Sequence, residues 1–446
     1  MKTIVDRILS APNILTMDSH HDPIRKNFSL AIQNGKIHEI GPKSEIEKKY
    51  QTKEKKHQYN FGENYVLMPG LINAHAHLSM NVFRSTVNNL PLNEWLEKAI
   101  WPMERKWVSE NMIQDGTTLG LVEQIKNGIT YYNDMYFYPQ ISSEIVQSFG
   151  LKAQIGVVVA KFITPTSSSE EDCLREENLD FLKRYSQRDH LSCIHSSLAP
   201  HAPYTISDDG LKKILKLSIE HNVPIHMHLH ESLSEITDIR PIERLENLGV
   251  FSDAPRFIAV HMAQINEQDF IILEKNKKKI GIVHCPQSNA KLAVGISPVT
   301  DFLKKGFNLG LGTDSSVSND TLNIFQEAKM ALLLSKIQQN SALSFSAYDA
   351  LKMMTIDGAK CLGMDSFIGS LEEGKCADII ALKLTDPPIH DLCTYLAYHA
   401  IHQVEYVWVN GIEKLINSQI QFVQESQVKE ISRRWEENIY TSKKNF

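Results

Sequence analysis

The segments KKKIGIVHCP at residues 277–286 and KKGFNLGLGTD at residues 304–314 each contain a short apolar run that follows basic residues. A stretch of helical length lies between them. Similar apolar runs recur through the middle of the chain, at residues 66–73, 129–133, 153–159, 192–198, 223–229, 256–260, 280–284 and 307–311. Strands that alternate with helix-length segments predict a parallel sheet. Eight such units predict a closed (β/α)8 barrel, that is, a TIM barrel of the α/β class.

The two ends of the chain show a different pattern of short strands and turns. The run 28–40 alternates around Asn34-Gly35, which predicts a hairpin, and Gly374 and Asn410-Gly411 separate short runs near the other end. We therefore expect a small β-sandwich domain that both chain ends build together. The predicted division is 1–65 for its first part, 66–364 for the barrel, and 365–446 for its second part, which includes a terminal helix over 423–439.

Composition excludes several classes of function. The 446 residues carry a net charge of -6, the pI is about 6.3, and no basic stripe is present, so a nucleic-acid polymer is not an expected partner. No run approaches the ~18 apolar residues of a membrane helix, and Asp6, Arg7 and Pro12 interrupt any signal peptide. The six cysteines form no C-x-x-C pair. They indicate reduced thiols in a cytoplasmic protein.

The strongest chemical signal is His75-Ala76-His77 at the end of the first apolar run. Residues i and i+2 of a strand point to the same side, so two imidazoles at this spacing can share one metal ion. A lone H-x-H pattern is weak evidence. Here it ends the first predicted barrel strand, at the edge where barrel active sites lie, and this position favours a metal site.

The segment PIHMHLHES offers a second group of candidates. His226, His228 and His230 stand at alternate positions, and Glu231 follows them. A catalytic metal needs three or four protein ligands with one position open, so not all three imidazoles need bind, and any of them could be a core histidine. Glu231 lies just beyond the strand, where a carboxylate could reach water on the metal.

Three further residues end predicted strands. Asp314 in LGLGTDSSVSND could be a helix cap, but its place at the end of the eighth strand favours a ligand and proton acceptor. His201 in LAPHAPYT and His261 in FIAVHMAQ occupy the same position on other strands. An isolated histidine is usually structural. Here, however, five predicted strand ends each carry histidine or aspartate. Because these ends meet at one edge of a barrel, the residues are expected to line a single pocket.

These motifs together resemble the amidohydrolase superfamily. The segments that carry the resemblance are PGLINAHAH, HMHLHES, HCPQSNAKLAVGISP and GLGTDSSVSN. Within the superfamily the chain is similar to the 5-methylthioadenosine/S-adenosylhomocysteine deaminases and the related triazine hydrolases, over nearly its whole length. The motif set is specific for the superfamily and less specific for the substrate.

The resemblance implies a role for each matching position. It implies that the metal ligands are His75, His77, His228 and Asp314, with His228 chosen because it stands three residues before the catalytic Glu231. It implies that His261 contacts the attacking water and that Asp314 takes a second proton. The resemblance also implies contacts with the substrate. The expected contact residues are Trp95, Glu104, His201, Ser318 and Lys161. Glu104 matches a carboxylate that binds ribose hydroxyls, although Trp95 could be plain core and Glu104 could face solvent.

This sequence also departs from the family pattern. Ser315 follows Asp314 where glycine is common, and Arg175 falls one place away from an arginine that contacts a homocysteine tail. SSLAPHAP at the fourth strand end lacks the lysine that two-metal relatives carboxylate, so one metal ion is expected. Histidine and carboxylate ligands suit zinc, with Fe²⁺ or Mn²⁺ as alternatives. A homo-oligomer is suggested by the resemblance alone.

The resemblance implies a hydrolase that deaminates an adenine nucleoside to its inosine analogue and releases ammonia. The expected small-molecule substrates are 5′-methylthioadenosine, S-adenosylhomocysteine and adenosine. One alternative is a hydrolase of another nitrogen heterocycle, such as a triazine, a pterin, guanine or an aminofutalosine-like compound. A second alternative is a non-catalytic binding protein on the same fold, against which the complete set of ligand and acid–base residues argues.

Overall fold

The computed structural model describes residues 2–18, 23–187, 189, 191–385, 387–399 and 403–443. Its centre is an eight-stranded parallel sheet in which each strand pairs with the next one along the chain. The strands are Leu71–Ala76, Ile129–Met135, Lys152–Val159, Ile194–Pro200, Ile225–Leu229, Phe257–His261, Ile280–His284 and Asn308–Leu311. The first and last strands meet at a bridge between Ala76 and Asp314. This arrangement confirms the predicted (β/α)8 barrel.

Seven of the eight runs chosen from the sequence agree with these strands to within two residues at either end. The first run, 66–73, was wrong as a single strand. Tyr65–Pro69 pairs antiparallel with Ile379–Lys383 outside the barrel, and the barrel strand begins only at Leu71. Between them lies Gly70, where an added Cβ would stand 2.1 Å from Thr130 Oγ1. The chain passes from one sheet to the other at this close contact.

Both chain ends contribute to the second sheet, as expected. Its strands form one mixed, hydrogen-bonded sheet. They are Arg7–Leu15, Ile24–Gln33, Lys36–Pro42, Gln58–Asn60, Tyr65–Pro69, Ile379–Lys383, Gln403–Val409, Ile412–Ile416 and Gln419–Ile420, beside a separate pair Thr3–Val5 and Tyr50–Thr52. The predicted hairpin turns at Asn34 and Gly35, whose φ angles are 52° and 75°. Two successive positive φ angles are typical of a tight hairpin turn.

Helices surround the barrel and continue into the terminal regions. Those longer than seven residues are Glu110–Lys126, Pro139–Ser148, Glu176–Arg184, Asp208–His221, Glu267–Glu274, Ile324–Gln338, Leu392–His399 and Glu425–Lys443. The shorter α-helices are Lys43–Lys49, Leu92–Trp95, Trp101–Trp107, Glu170–Cys173, Pro241–Asn247, Val250–Asp253, Pro286–Lys291, Val299–Lys304, Ser316–Asn319, Ala347–Met353 and Ile356–Leu362, with a π-helical turn at Leu96–Ile100. Among the described residues, none of these helices combines the length and apolar character needed to cross a bilayer.

A buried ion pair joins the barrel to the small sheet. Lys152 at the start of the third barrel strand lies 2.9 Å from Asp378, and each side chain is less than 5% exposed. The Asp378 carboxylate also accepts a hydrogen bond from the backbone N–H of Asn410. The contact is at the amino-terminal end of the barrel, so it leaves the opposite, carboxyl-terminal edge free for the site described next.

Candidate active site

Four side chains from three barrel strands converge at the carboxyl-terminal edge. His75 and His77 end the first strand, His228 lies in the fifth, and Asp314 follows the eighth. The Nε2 atom of His228 is 3.3 Å from Nε2 of both His75 and His77, and Asp314 Oδ1 lies 3.4 Å and 3.3 Å from the same two nitrogens. These are the four residues proposed as metal ligands, and one donor atom from each lies within 4.8 Å of all the others.

The distances suit a divalent ion. Zinc binds imidazole nitrogen at about 2.0–2.1 Å, and tetrahedral geometry then separates neighbouring ligand atoms by about 3.3 Å. The outer nitrogens of two of the three imidazoles are held by backbone carbonyls. His77 Nδ1 donates to the carbonyl of Met135 at 2.5 Å, and His228 Nδ1 donates to the carbonyl of His201 at 2.7 Å. With the proton on Nδ1, each Nε2 presents a lone pair to the centre.

Burial favours neutral imidazoles at two positions of this centre. It lowers the pKa of His75 to about 3 and lowers that of His228 well below its usual value. Burial acts in the same direction on His77, but the neighbouring Asp314 carboxylate outweighs it and raises the pKa of that imidazole. Burial would raise the pKa of Asp314, but the neighbouring His75 and His77 hold it well below its ordinary range. Imidazole nitrogens beside an ionised carboxylate form a set of donor atoms that suits a cation.

Glu231 and His261 stand beside the four ligands. His261 Nε2 lies 3.7 Å from Glu231 Oε1, while His261 Nδ1 donates to Asn289 Oδ1 at 2.8 Å. The backbone N–H of Glu231 donates to the buried carboxylate of Glu235 at 2.9 Å, which fixes the loop after the fifth strand. Burial, together with the nearby charge of Asp314, raises the pKa of Glu231 to about 8. A carboxyl group with a pKa near neutrality can both accept and donate a proton.

The backbone is left-handed at two of these positions. The φ angles are 73° at His261 and 58° at Asp314, a region that non-glycine residues rarely adopt. Such conformations persist where the surrounding structure imposes them, and they are concentrated at functional sites. Here His261 is the last residue of the sixth barrel strand and Asp314 lies in the loop after the eighth, and both side chains face the common centre.

A cavity opens above the four proposed ligands. Trp95, Glu104 and His201, three of the expected substrate contacts, lie on its wall. Most of the remaining wall is apolar, with Met80, Leu92, Leu96, Ile100, Trp101, Phe137, Val158, Ala160, Phe162 and Leu292. Burial raises the pKa of the Glu104 carboxyl to about 7, against the opposing effect of the Tyr136 hydroxyl. A large apolar pocket with a few polar groups is typical of a small-molecule site.

The structure does not bring two of the expected substrate contacts to this cavity. Ser318 is fully buried behind the site, where its hydroxyl donates to Asp314 Oδ2 at 2.9 Å. Lys161 has an exposed side chain, and only its backbone N–H is fixed, by the carbonyl of Thr205. Both residues belong to loops around the mouth of the barrel, and spacing in the sequence does not show which way a loop side chain turns.

Three residues that the sequence analysis did not assign also contact the site. Tyr136 faces Glu104 in the cavity wall, and Ser288 and Asn289 contact Asp314 and His261. Both Ser288 and Asn289 lie in HCPQSNAKL, a segment that carried the family resemblance, and so a signal for them was present. For Tyr136 the only signal was its position directly after the second barrel strand.

The family model described as "Amidohydrolase family" matches residues 66–420. This chain belongs to the amidohydrolase family. The match covers the whole barrel and much of the second part of the small sheet. The ligands, Glu231 and His261 all lie within it.

Curated relatives of this amidohydrolase align along most of its length. A 5-methylthioadenosine/S-adenosylhomocysteine deaminase from Saccharophagus degradans is 38% identical over 426 residues, which cover 92% of this chain and 91% of the relative. A 5′-deoxyadenosine deaminase from Methanococcus vannielii is 34% identical over 380 residues, covering 83% of this chain and 88% of the relative.

Solved structures agree with the fold. An adenosine deaminase from Xanthomonas campestris with bound zinc superposes with a TM-score of 0.92 at 30% identity, covering 99% of this chain and all of that structure. A triazine hydrolase variant superposes with a TM-score of 0.86 at 20% identity, covering 96% and 99% of the two chains. At that lower identity the likeness concerns the fold alone.

Proposed function

We propose that this amidohydrolase removes the exocyclic amino group of an adenine nucleoside by hydrolysis, releasing ammonia and the inosine analogue. The observation that carries the proposal is a four-ligand centre with Glu231 and His261 beside it, at the base of a largely apolar cavity that contains the buried Glu104. Relatives described as deaminases of 5-methylthioadenosine, S-adenosylhomocysteine and 5′-deoxyadenosine support it.

Zinc is the ion that we assign to His75, His77, His228 and Asp314, because three imidazole nitrogens and one carboxylate oxygen suit it. The zinc in the Xanthomonas campestris adenosine deaminase supports this assignment. When bound, the ion supplies water that is acidic enough to give a nucleophile near neutral pH. Metal analysis of the purified protein distinguishes zinc from iron and manganese.

Glu231 is assigned as the proton shuttle. Its carboxylate takes a proton from the attacking water and delivers it to the ring nitrogen beside the amino-bearing carbon. The pKa of about 8 suits both halves of this transfer. The proton reduces the electron density of the ring, so the oxygen of the water forms its bond to the amino-bearing carbon as that ring nitrogen is protonated.

His261 and Asp314 complete the transfer. His261 Nε2 faces Glu231, so it is placed to orient the attacking water and to stabilise the charge that develops on its oxygen. Asp314 accepts the second proton of the water and passes it to the amino group. The carbon–nitrogen bond then breaks, ammonia leaves, and the carbonyl of the inosine analogue remains.

Glu104 is assigned to the ribose hydroxyls, since it is the buried carboxylate of the cavity wall that the acid–base chemistry does not use. The remaining wall favours an uncharged group at the 5′ position. Arg175, the nearest counterpart of a tail-binding arginine, is held by the carbonyl of Thr166 and by Ser167. Lys161 is exposed. We therefore expect 5′-methylthioadenosine and 5′-deoxyadenosine to be better substrates than S-adenosylhomocysteine, whose tail carries two charges.

The test is ammonia release by the zinc-loaded enzyme from adenosine, 5′-methylthioadenosine, 5′-deoxyadenosine, S-adenosylhomocysteine and guanine, with chloride release measured for a chlorotriazine. We expect turnover of the adenine nucleosides, with the highest kcat/KM for those with a small uncharged 5′ group. Turnover of guanine or the triazine alone would replace the proposal with its alternative. Binding without turnover of any compound would favour a non-catalytic protein. Glu231→Gln serves as the matched inactive control.

A further inference from the structure

A second buried carboxylate lies directly behind the site and has no part in the chemistry described above. Glu327 stands in the first turn of the helix Ile324–Gln338 and is fully buried. It accepts hydrogen bonds from the loops that follow the seventh and eighth barrel strands, at the short helices Pro286–Lys291 and Ser316–Asn319 that these loops contain. The backbone N–H and the side-chain amide of Gln287 donate at 3.1 Å and 2.7 Å, and the side-chain amide of Asn319 donates at 2.5 Å.

In each of these loops, the residue adjacent to the one that contacts Glu327 is a serine whose hydroxyl donates to Asp314. Ser288 follows Gln287, and its Oγ donates to Asp314 Oδ2 at 2.5 Å. Ser318 precedes Asn319, and its Oγ donates to the same oxygen at 2.9 Å. Two donors therefore occupy Oδ2, while Oδ1 faces the imidazoles of the metal centre.

The loop held through Gln287 also orients His261. Asn289 accepts from His261 Nδ1 at 2.8 Å, so the imidazole presents Nε2 to Glu231. Consecutive residues of the helix Pro286–Lys291 thus contact two different catalytic groups. The helix has only six residues and little stability of its own, because isolated short helices are marginal in water. Its orientation must come from contacts such as those with Glu327.

We propose that Glu327 is a positioning residue: by holding Gln287 and Asn319 it keeps Ser288 and Ser318 on one oxygen of Asp314 and keeps Asn289 on His261. This inference rests on the proposed function. Its physical reason is the coordination of the ion. A carboxylate whose second oxygen is released can take a second position on a metal, and a hydrolytic site needs that position open for water. Partners of this kind orient metal ligands and typically change affinity or activity 10–100-fold when they are removed.

The variant that tests the inference is Glu327→Met, which keeps the length of the side chain and removes every acceptor. We expect kcat to fall about 10–100-fold while KM changes little, because Glu327 does not line the cavity. Glu327→Gln keeps one carbonyl oxygen, which can still accept from the two side-chain amides, so we expect partial rescue. Glu405→Met is the matched control, since Glu405 is a similarly buried, hydrogen-bonded carboxylate of the small sheet.

A double-mutant cycle separates positioning from general stability. If Glu327 acts through Ser288, then Ser288→Ala in the Glu327→Met background will cost much less than Ser288→Ala alone, because the effects of residues in one hydrogen-bond network are not additive. If instead the double variant lost kcat by the product of the two single losses, the proposal would be contradicted. So would a Glu327→Met enzyme with normal kcat per folded, metal-loaded chain. Should Glu327→Met fail to fold, the same cycle is built with Glu327→Gln.

A readout without substrate keeps this inference separate from the proposed function. Co²⁺ replaces zinc, and its visible absorption reports how the ligands surround it. We expect Glu327→Met and Ser288→Ala to change that spectrum in the same way and to weaken zinc in competition with a chelator, while Glu405→Met leaves both unchanged. Unaltered spectra and zinc affinity would overturn the role of Glu327 at the metal centre. Failure of the wild type to deaminate any nucleoside would overturn only the proposed substrate.

Discussion

The Nδ1 atom of His75 lies 2.9 Å from the Nε2 atom of His226, inside the barrel and beneath the metal centre. Both rings are fully buried, and burial lowers the pKa of each, to about 3 for His75. Two neutral imidazoles share one proton across this contact. If His75 holds it on Nδ1, then its Nε2 is the free ligand atom, as in His77 and His228. His226 thus fills the place that backbone carbonyls fill for the other two imidazoles.

Replacing His226 with leucine should therefore weaken the metal centre. His75 would lose its acceptor and could place its proton on Nε2, so we expect metal affinity to fall about 10–100-fold. Zinc competition with a chromophoric chelator measures the change. His226→Gln, which keeps an acceptor, should retain more affinity than His226→Leu. Equal zinc affinity in His226→Leu and the wild type would show that the contact does not orient His75.

Glu231→Gln tests the proton shuttle directly. The amide has the same size but cannot take a proton from water, so we expect kcat to fall about 10²–10⁴-fold, the usual contribution of general acid–base catalysis. Glu231 is not one of the four ligands, so one metal ion per chain should remain. Steady-state kinetics and metal analysis on the same sample measure both quantities. A near-normal kcat would remove Glu231 from this role.

The barrel and most of its strands could be predicted from the sequence because apolar runs and helix-length segments alternate regularly. The exception was the run 66–73. Pro69-Gly70 interrupts this run and is a turn signal, but the signal does not reveal a change of sheet. The change at Gly70 depends on contact with Thr130 and on pairing with Ile379–Lys383, more than 300 residues away.

The spacing of the alternating histidines does not show which of them bind the metal. His226 and His228 lie within the strand Ile225–Leu229 and both point into the barrel, whereas His230 follows its end and has a φ of 52°. Its ring contacts the carbonyl of Gln264 and the backbone N–H of Ile242 instead. Spacing predicted that some of the three would bind. The bend after Leu229, which decides between them, is a property of the folded loop.

The contacts behind the site could not be predicted from spacing at all. Ser288, Asn289 and Glu327 act across loops that meet only in the closed barrel. Serine, asparagine and a helical glutamate are common in any sequence, so their types carry little signal. Histidine and aspartate at strand ends are rarer, so they indicated one metal site, and the family resemblance then supplied the choice of His228 among the three histidines.

Removing the metal should abolish activity and lower Tm. A ligand present at 1,000 times its Kd stabilises the folded state by about 4 kcal/mol. Removing the ion from its four ligands would take a contribution of this size from the free energy of unfolding. Chelator treatment followed by calorimetry and zinc addition measures the loss and its reversal. We expect one ion per chain, since the described residues contain one cluster of four ligands. A stoichiometry of two, or an unchanged Tm, would contradict this arrangement.

The ion pair between Lys152 and Asp378 should stabilise the junction of the two domains. Asp378→Asn leaves the buried Lys152 without its charge partner, and breaking a buried pair in this way typically costs about 3–5 kcal/mol. Urea unfolding measures the difference, and kcat per folded chain should stay normal. Glu437→Gln, which breaks an exposed pair with Arg433, is the control and should leave the free energy of unfolding nearly unchanged. Similar effects of both variants would refute the prediction.

The protonation of Glu104 should control how strongly the enzyme prefers ribonucleosides. Burial raises its pKa to about 7, so the carboxyl is protonated and a weaker acceptor below that pH, and ionised above it. The ratio of kcat/KM for adenosine to that for 2′-deoxyadenosine should therefore rise as pH increases through about 7. The two substrates share the reacting ring, so titration of Glu231 largely cancels in the ratio. A charged hydrogen bond contributes about 1.5–3 kcal/mol and a neutral one about 0.5–1.5 kcal/mol, and the difference predicts a roughly five- to tenfold change in the ratio. Glu104→Gln should make the ratio independent of pH, and a wild-type ratio that stays flat would exclude Glu104 from ribose recognition.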